Sequence, residues 1–265
     1  MDYQEALPII RRLAVEQGRL ALDRWASVAP LAMKNRRDFV TDVDLEIEEN
    51  IKTELRRHFP GHGLSGEETE DENRRSEFQW LIDPIDGTKY YAGQASLFAV
   101  SIGLLHHGEP VLGVIYNAAA GQCFYASQGA GAFLDEVRLR GPSRTGEDPD
   151  DLARVIASVD AAKTDEMPDD ERDWFERKLV ALTRRVYRIR ALGLGSLSAC
   201  WLATGALDAY VDLTGYVKPQ DIAAGRIVMS EAGARVGEID PGVGKPRLLA
   251  APPDLFLQLE NILME

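Results

Sequence analysis

The segment Trp80-Leu81-Ile82-Asp83-Pro84-Ile85-Asp86-Gly87-Thr88 changes character at its first aspartate. The apolar run 80–82 has the composition of a buried strand and delivers Asp83 to its end, because Pro84 has no amide hydrogen with which to continue a sheet. Asp86-Gly87-Thr88 then reads as a turn leading into a helix start. Two carboxylates three residues apart on such a turn can converge on one point, joined by the Ile85 carbonyl. Hard oxygen ligands of that kind suit Mg²⁺. The amides of Gly87 and Thr88 at the helix start suit a phosphate oxygen. Taken alone, the same string also serves as a turn with a helix cap.

Moving upstream, Gly66-Glu67-Glu68-Thr69 is a second acidic pair in a predicted loop. Before it, Leu7, Ile10, Leu13, Ala14, Gln17, Leu20, Ala21 and Trp25 recur at three- and four-residue steps and predict a helix. A second helix is expected over 44–58, with Leu45, Ile47, Ile51 and Leu55 inward and Pro60-Gly61 ending it. Downstream, short apolar runs at 79–82, 99–105, 111–116 and 123–126 read as strands. Residues 140–151 contain no apolar side chain and mark a lobe boundary. Beyond them, strands (154–159, 186–191, 207–213, 248–251) alternate with helices (171–183, 196–204, 219–232 and from 253). The expectation is an α+β N-terminal lobe over 1–145 carrying most of the metal ligands, and an α/β C-terminal lobe over 146–265 carrying Asp221. Asp221 opens the helix after Pro219-Gln220, where a carboxylate can also be a simple cap. Three acidic sites at element ends fit a multi-metal phosphate site better than three unrelated caps.

Composition narrows the classes. The chain has 265 residues, with 30 Lys+Arg against 43 Asp+Glu, a net charge of −13. Such acidity argues against a nucleic-acid partner, which needs clustered Lys and Arg, and suits a protein that collects cations. Cys123 and Cys200 provide no disulfide framework, and the first residues lack a basic-then-apolar signal pattern. The longest apolar stretch, around 97–105, is too short to span a bilayer. No membrane association is expected, and a cytoplasmic location is.

At this point the chain resembles the inositol monophosphatase superfamily of Mg²⁺-dependent, lithium-sensitive phosphatases. The resemblance is carried by Gly66–Thr69, by 80–88, by Gln220–Gly225 with Glu231-Ala232-Gly233, by Arg190–Gly193, by Leu202–Tyr210, and by Lys34 before 40–44. Three acidic motifs in order and spacing make it specific. It implies a layered αβαβα sandwich, a homodimer, and two or three Mg²⁺ ions. It further implies that Glu67, Asp83 and the Ile85 carbonyl hold the first ion, and that Asp83, Asp86 and Asp221 hold the second. Glu67 would also touch a third, weaker ion. Thr88, oriented by Asp44, would position the attacking water, so Thr88, Asp44 and Glu67 are the expected catalytic residues. One ion would lower the water's pKa and the other stabilise the departing alkoxide. Glu68, whose side chain points away from that of Glu67, is expected behind the ligands.

Substrate residues are expected at Asp86, Gly87, Thr88, Lys34, Gly193, Lys89 and Asp212. Lys89 would add charge for a second phosphate, although an exposed lysine is the slightly favoured reading. Asp212 sits where inositol-type enzymes place a carboxylate for substrate hydroxyls, here before a slightly longer connection to Asp221. Gln220 stands where the family has Trp. A small phosphomonoester such as inositol monophosphate or a related sugar or polyol phosphate is the expected substrate. Fructose 1,6-bisphosphate, 3'-phosphoadenosine 5'-phosphate and histidinol phosphate remain open. A haloacid-dehalogenase-type phosphatase, with its D-x-D-G-T string, is disfavoured because Pro84 and Ile85 separate the two aspartates. A non-catalytic metal- or partner-binding regulator is disfavoured because no ligand is lost. His58, His62, His106 and His107 show no metal-binding spacing and read as surface or loop residues.

Overall fold

The structure is a computed structural model describing residues 3–28, 30–33, 39–142, 152–161 and 167–265. Lys34 and the expected boundary at 145/146 lie outside the described residues. The first half runs α1 (Tyr3–Arg24), β1 (Pro30–Met33), β2 (Phe39–Thr41), α2 (Asp42–His58), β3 (Gly63–Gly66), β4 (Phe78–Asp86) and α3 (Thr88–Ala92). It continues with β5 (Ala99–His106), β6 (Glu109–Asn117), β7 (Gln122–Ser127), β8 (Gly131–Leu134) and β9 (Val137–Arg138). The second half runs β10 (Ile156–Asp160), α4 (Asp169–Arg185), β11 (Arg188–Arg190), α5 (Gly195–Thr204) and β12 (Ala209–Asp212). It closes with α6 (Pro219–Glu231), β13 (Arg235–Ile239), β14 (Arg247–Ala251) and α7 (Pro253–Met264).

Strands β3 to β9 form a seven-stranded sheet in chain order, antiparallel except for the parallel β3–β4 pair. The other large sheet has the order β11-β10-β12-β14-β13, with β10 parallel to both of its neighbours. Four apolar clusters stack these elements into five layers. Ile10 and Leu13 of α1 and Ile47 and Ile51 of α2 pack on Ile82, Ile102 and Val114. Ile115, Phe124 and Ala126, on the opposite face of the same sheet, pack on Leu197 and Cys200 of α5 and Ala224 and Val228 of α6. Those two helices also cover Tyr210 and Ala250 of the second sheet through Leu202 and Met229. The far face of that sheet, with Val159, Val211 and Leu249, packs on Phe175 of α4 and Leu259 of α7. Alternating side chains let each sheet bury both faces, which yields the expected αβαβα sandwich.

Two departures from expectation position the site. Pro84 does not end β4. The strand continues to Asp86 with a shift in register, Asp83 opposite Ser101 and Asp86 opposite Ala99, so Pro84 and Ile85 together face Val100. This is a bulge, a place where a sheet tolerates proline, and β3 has already stopped pairing at Ile82. The second departure is a close approach. Gly103 and Gly113 are register partners, and a Cβ on either would strike Ala224, at 2.9 Å from its amide nitrogen and 2.7 Å from its Cα respectively. Without side chains there, α6 can lie down on the sheet and bring its N-terminus toward the end of β4.

Candidate active site

Parallel pairing of β3 and β4 brings out Glu67 and Asp83 side by side, and the Glu67 amide donates to Ile82 O at 3.1 Å. Carboxylate oxygens of Glu67, Asp83 and Asp221 all lie within 4.8 Å of one another. Asp221 does more than cap α6, although its carboxylate accepts from the Lys218 backbone. Lys218 is the N-cap residue of α6 and makes no side-chain cap, whereas Asp221 Oδ1 is buried without a hydrogen-bond partner among the described residues. Burial, then the charges of Glu67, Asp86 and Asp221, push the Asp83 carboxyl well above its ordinary range. Burial and the charge of Glu67 lift Asp221 to about 8, with Lys218 pulling the other way. Acids crowded so that they favour protonation mark a candidate functional site for a cation.

Asp86 faces another partner as well. Its Oδ2 accepts from the Ser196 amide at 2.9 Å and from Ser196 Oγ, at the first turn of α5. Burial still raises it to about 7 against those two bonds, with Asp160 and Glu67 adding to the rise. Gly87 precedes α3 with φ of 96°, a left-handed conformation that glycine adopts without strain, and a Cβ there would lie 2.6 Å from Leu97 O.

Thr88 Oγ1 lies 3.1 Å from Asp44 Oδ1 and 3.0 Å from Ile85 O. Asp44 is fixed by its place in a capping box. Its Oδ2 accepts from the Thr41 amide at 2.9 Å and from Thr41 Oγ1, while its own amide donates to Thr41 Oγ1 at 3.3 Å. Helix α2 therefore begins two residues earlier than its apolar period indicates.

The loop that presents Glu67 is held by a buried charge. Glu48 accepts from the amides of Glu68 and Thr69 at 2.8 and 3.0 Å. Lys52 lies 3.2 Å from Glu48 and donates to Thr69 Oγ1 at 2.5 Å and Glu70 O at 3.0 Å. Both side chains are essentially inaccessible to solvent. Lys218 donates to Glu67 Oε1 at 2.7 Å, and Gln220 Nε2 donates to Ser65 Oγ at 2.9 Å, so the start of α6 is tied to β3 and the loop after it. Sequence reasoning missed Glu48, Lys52, Ser196 and Lys218. For the first two a signal existed: 44, 48, 52 and 55 recur at helical steps beside the inward Ile47 and Ile51, which puts charge on a buried face.

Other expected substrate residues are placed differently. The Asp212 carboxylate is buried and accepts from the Thr214 amide and hydroxyl, both at 2.7 Å, and from the Gly215 amide at 3.0 Å. Asp212 also lines a cavity of about 290 Å³ with Leu81, Pro110 and Leu248, which none of Glu67, Asp83 and Asp221 borders. Lys89 is exposed on α3. Gly193 is exposed with φ of 63°, in the loop before α5. Among the described residues, no helix is long and apolar enough to cross a membrane.

Known proteins similar to this chain share its fold. The inositol monophosphatase family profile matches residues 2–261. A fructose-1,6-bisphosphatase/inositol-1-monophosphatase of Thermotoga maritima is 32% identical over 85% of this chain and 81% of its own. An inositol-1-monophosphatase of Bacillus subtilis is 31% identical over 90% and 87%. The crystal structure of the extragenic suppressor protein suhB from Bartonella henselae superposes with a TM-score of 0.85 at 25% identity, covering 97% of this chain and 98% of that one. The chain thus belongs to the inositol monophosphatase family, and with it to the phosphoric monoester hydrolases.

Proposed function

We propose that the chain hydrolyses a small phosphomonoester, inositol monophosphate or a related sugar or polyol phosphate, in a Mg²⁺-dependent and lithium-sensitive reaction. The observation that carries this reading is the convergence of Glu67, Asp83 and Asp221, with Thr88 held by Asp44 on the adjoining turn. The donor set fits a hard divalent cation: all the ligands are oxygens, and the buried Asp221 Oδ1 has no hydrogen-bond partner among the described residues. Glu67, Asp83 and the Ile85 carbonyl, together with Asp86 and Asp221, would hold two ions, with a third more weakly held at Glu67. Bound Mg²⁺ supplies Lewis acidity, which makes water a better nucleophile and neutralises the charge on the phosphoryl group.

The remaining work falls to the chain. Asp44 accepts the Thr88 hydrogen, leaving the Thr88 oxygen lone pairs to accept from and orient the attacking water. The Gly87 and Thr88 amides hold the phosphate oxygens, and Ser196 keeps the Asp86 carboxylate in place. Lys89 and Gly193, both exposed, are proposed contacts for the rest of the substrate. The name of the Thermotoga relative favours fructose 1,6-bisphosphate as the second substrate to try. The proposal extends to a cytoplasmic homodimer and to lobes 1–145 and 146–265, supported by one large sheet in each.

The test is phosphate release from inositol 1-phosphate, fructose 1,6-bisphosphate, 3'-phosphoadenosine 5'-phosphate and histidinol phosphate, with Mg²⁺, with EDTA and with Li⁺. Release that requires Mg²⁺, falls with Li⁺ and favours a polyol or sugar phosphate supports the reading. Preference for either of the last two substrates overturns the substrate assignment, and EDTA-resistant release overturns the metal assignment.

A further inference from the structure

At the edge of the molecule where β4 begins and β5 ends, the fold assembles a second group of metal-ligating side chains. Phe78 and His106 are register partners, and the next residue, His107, donates its amide to Glu77 O at 2.8 Å. His107 (φ 51°) and Gly108 (φ 87°) form the two-residue turn into β6, with His106 opposite Glu109. Such turns need positive φ at both central residues, which favours Asn, Asp or Gly, so histidine is an uncommon occupant. The turn folds His107 back until its Nε2 lies 3.5 Å from Glu77 Oε2. One ligand atom from each of Glu77, His106 and His107 lies within 4.8 Å of the other two. Sequence spacing shows nothing of this, because the hairpin and the neighbouring strand create the proximity.

The His106 ring is also held in place. It stacks on Phe78 with centroids 4.3 Å apart and an interplanar angle of 7°. Its Nδ1 lies 3.0 Å from the Tyr3 hydroxyl at the start of α1. Nε2 has no hydrogen-bond partner among the described residues and is the nitrogen left to bind. An imidazole fixed at one nitrogen by an outer partner and open at the other is the usual arrangement of a metal-ligating histidine. Two imidazoles and one carboxylate suit a borderline transition ion completed by water, and are poorly matched to Mg²⁺.

We propose that Glu77, His106 and His107 form a surface site for a divalent transition ion of the Zn²⁺ type, with Tyr3 as the outer partner of His106. Bound there, the ion clips the β4–β6 edge and, through Tyr3, the start of α1. Glu77 precedes Asp83 by six residues, so along an extended strand the two sites stand roughly 20 Å apart. They can be titrated separately.

The experiment is titration of chelator-treated full-length protein with Zn²⁺ by calorimetry in excess Mg²⁺, repeated with Co²⁺ to read its ligand-field absorption, with melting followed in parallel. One Zn²⁺ per chain and a Zn²⁺-dependent rise in Tm are expected. His107→Asn, which tolerates the turn, and Glu77→Gln should each weaken binding at least about tenfold and abolish the rise, and Tyr3→Phe should weaken it about tenfold. Asp83→Asn should leave it intact. Absence of stoichiometric Zn²⁺, uptake unchanged in both His107→Asn and Glu77→Gln, or uptake lost in Asp83→Asn overturns the proposal.

Discussion

Lys218 Nζ stands 2.7 Å from Glu67 Oε1, so an ammonium from the start of α6 neutralises a carboxylate from the loop after β3. The same lysine pulls the Asp221 pKa downward. A resident cation competes with an incoming one. Lys218→Ala should therefore lower the Mg²⁺ concentration for half-maximal activity, by about two- to fivefold given that the lysine is half exposed. Mg²⁺ titration of initial rates checks this, and a higher requirement would mean that Lys218 orders Glu67 for binding.

Removing ligand charge should stop the chemistry and spare the fold. In Asp86→Asn the amide oxygen can still accept from Ser196, so the start of α5 keeps its partner. Activity should nonetheless fall by about a hundredfold or more. Circular dichroism and phosphate release on one preparation separate the two effects.

Thr88 and Asp44 should behave as one unit. Thr88→Val removes the hydroxyl and should lower kcat about a hundredfold or more with little change in KM, while Thr88→Ser should restore much of it. Asp44→Ala should cost activity and, through loss of the α2 capping box, about 1 kcal/mol of stability. Denaturant melts of the two variants should differ by that amount.

The buried pair under the loop tests positioning. Lys52→Met leaves Glu48 charged and without its counter-ion, which should destabilise the protein by about 3–5 kcal/mol. Glu48→Gln with Lys52→Met removes both charges. It should recover stability ahead of activity, because the Glu68 and Thr69 amides lose their charged acceptor.

Metal-free protein should lose stability as pH rises, whereas metal-loaded protein should not. Asp86 and Asp221, raised to about 7 and about 8, hold more protons folded than unfolded. The folded state is thus penalised progressively as pH rises from the ordinary carboxylate range through those values. Mg²⁺ removes the penalty by replacing protons, so the Tm rise it produces should be larger near about pH 8 than near about pH 6. An equal rise at both would show that the acids are already ionised without metal.

The layered fold was legible because long elements carry strong periods: α1, α4 and α7 lie within a few residues of the expected spans, and α6, buried nearly all round, was placed by its Pro219 start. Short strands such as β8, β9 and β13 were not, since two to five residues give no period to count. The acidic motifs were legible as a group because each sits at an element end. Their partners were less so. Ser196 meets Asp86 across 110 residues of chain, and only the packing of α5 reveals it. Pro84 misled because local chemistry says that proline ends a strand, while the sheet absorbs it in a bulge. Asp212 shows what a motif leaves out: its carboxylate also closes its own turn with Thr214 and Gly215.

The joining of Glu67 and Asp83 to Asp221 and Lys218 also sets an order of events during synthesis. Emerging from the ribosome amino end first, the chain displays two of its three clustered acids long before α6 exists to complete the set. A nascent N-terminal half therefore offers only part of a cation cage and none of the Lys218 counter-charge. Competence for metal should arrive late, with the packing of α6 onto Gly103 and Gly113, so a truncated or stalled chain should be a poorer scavenger of cations than the finished protein.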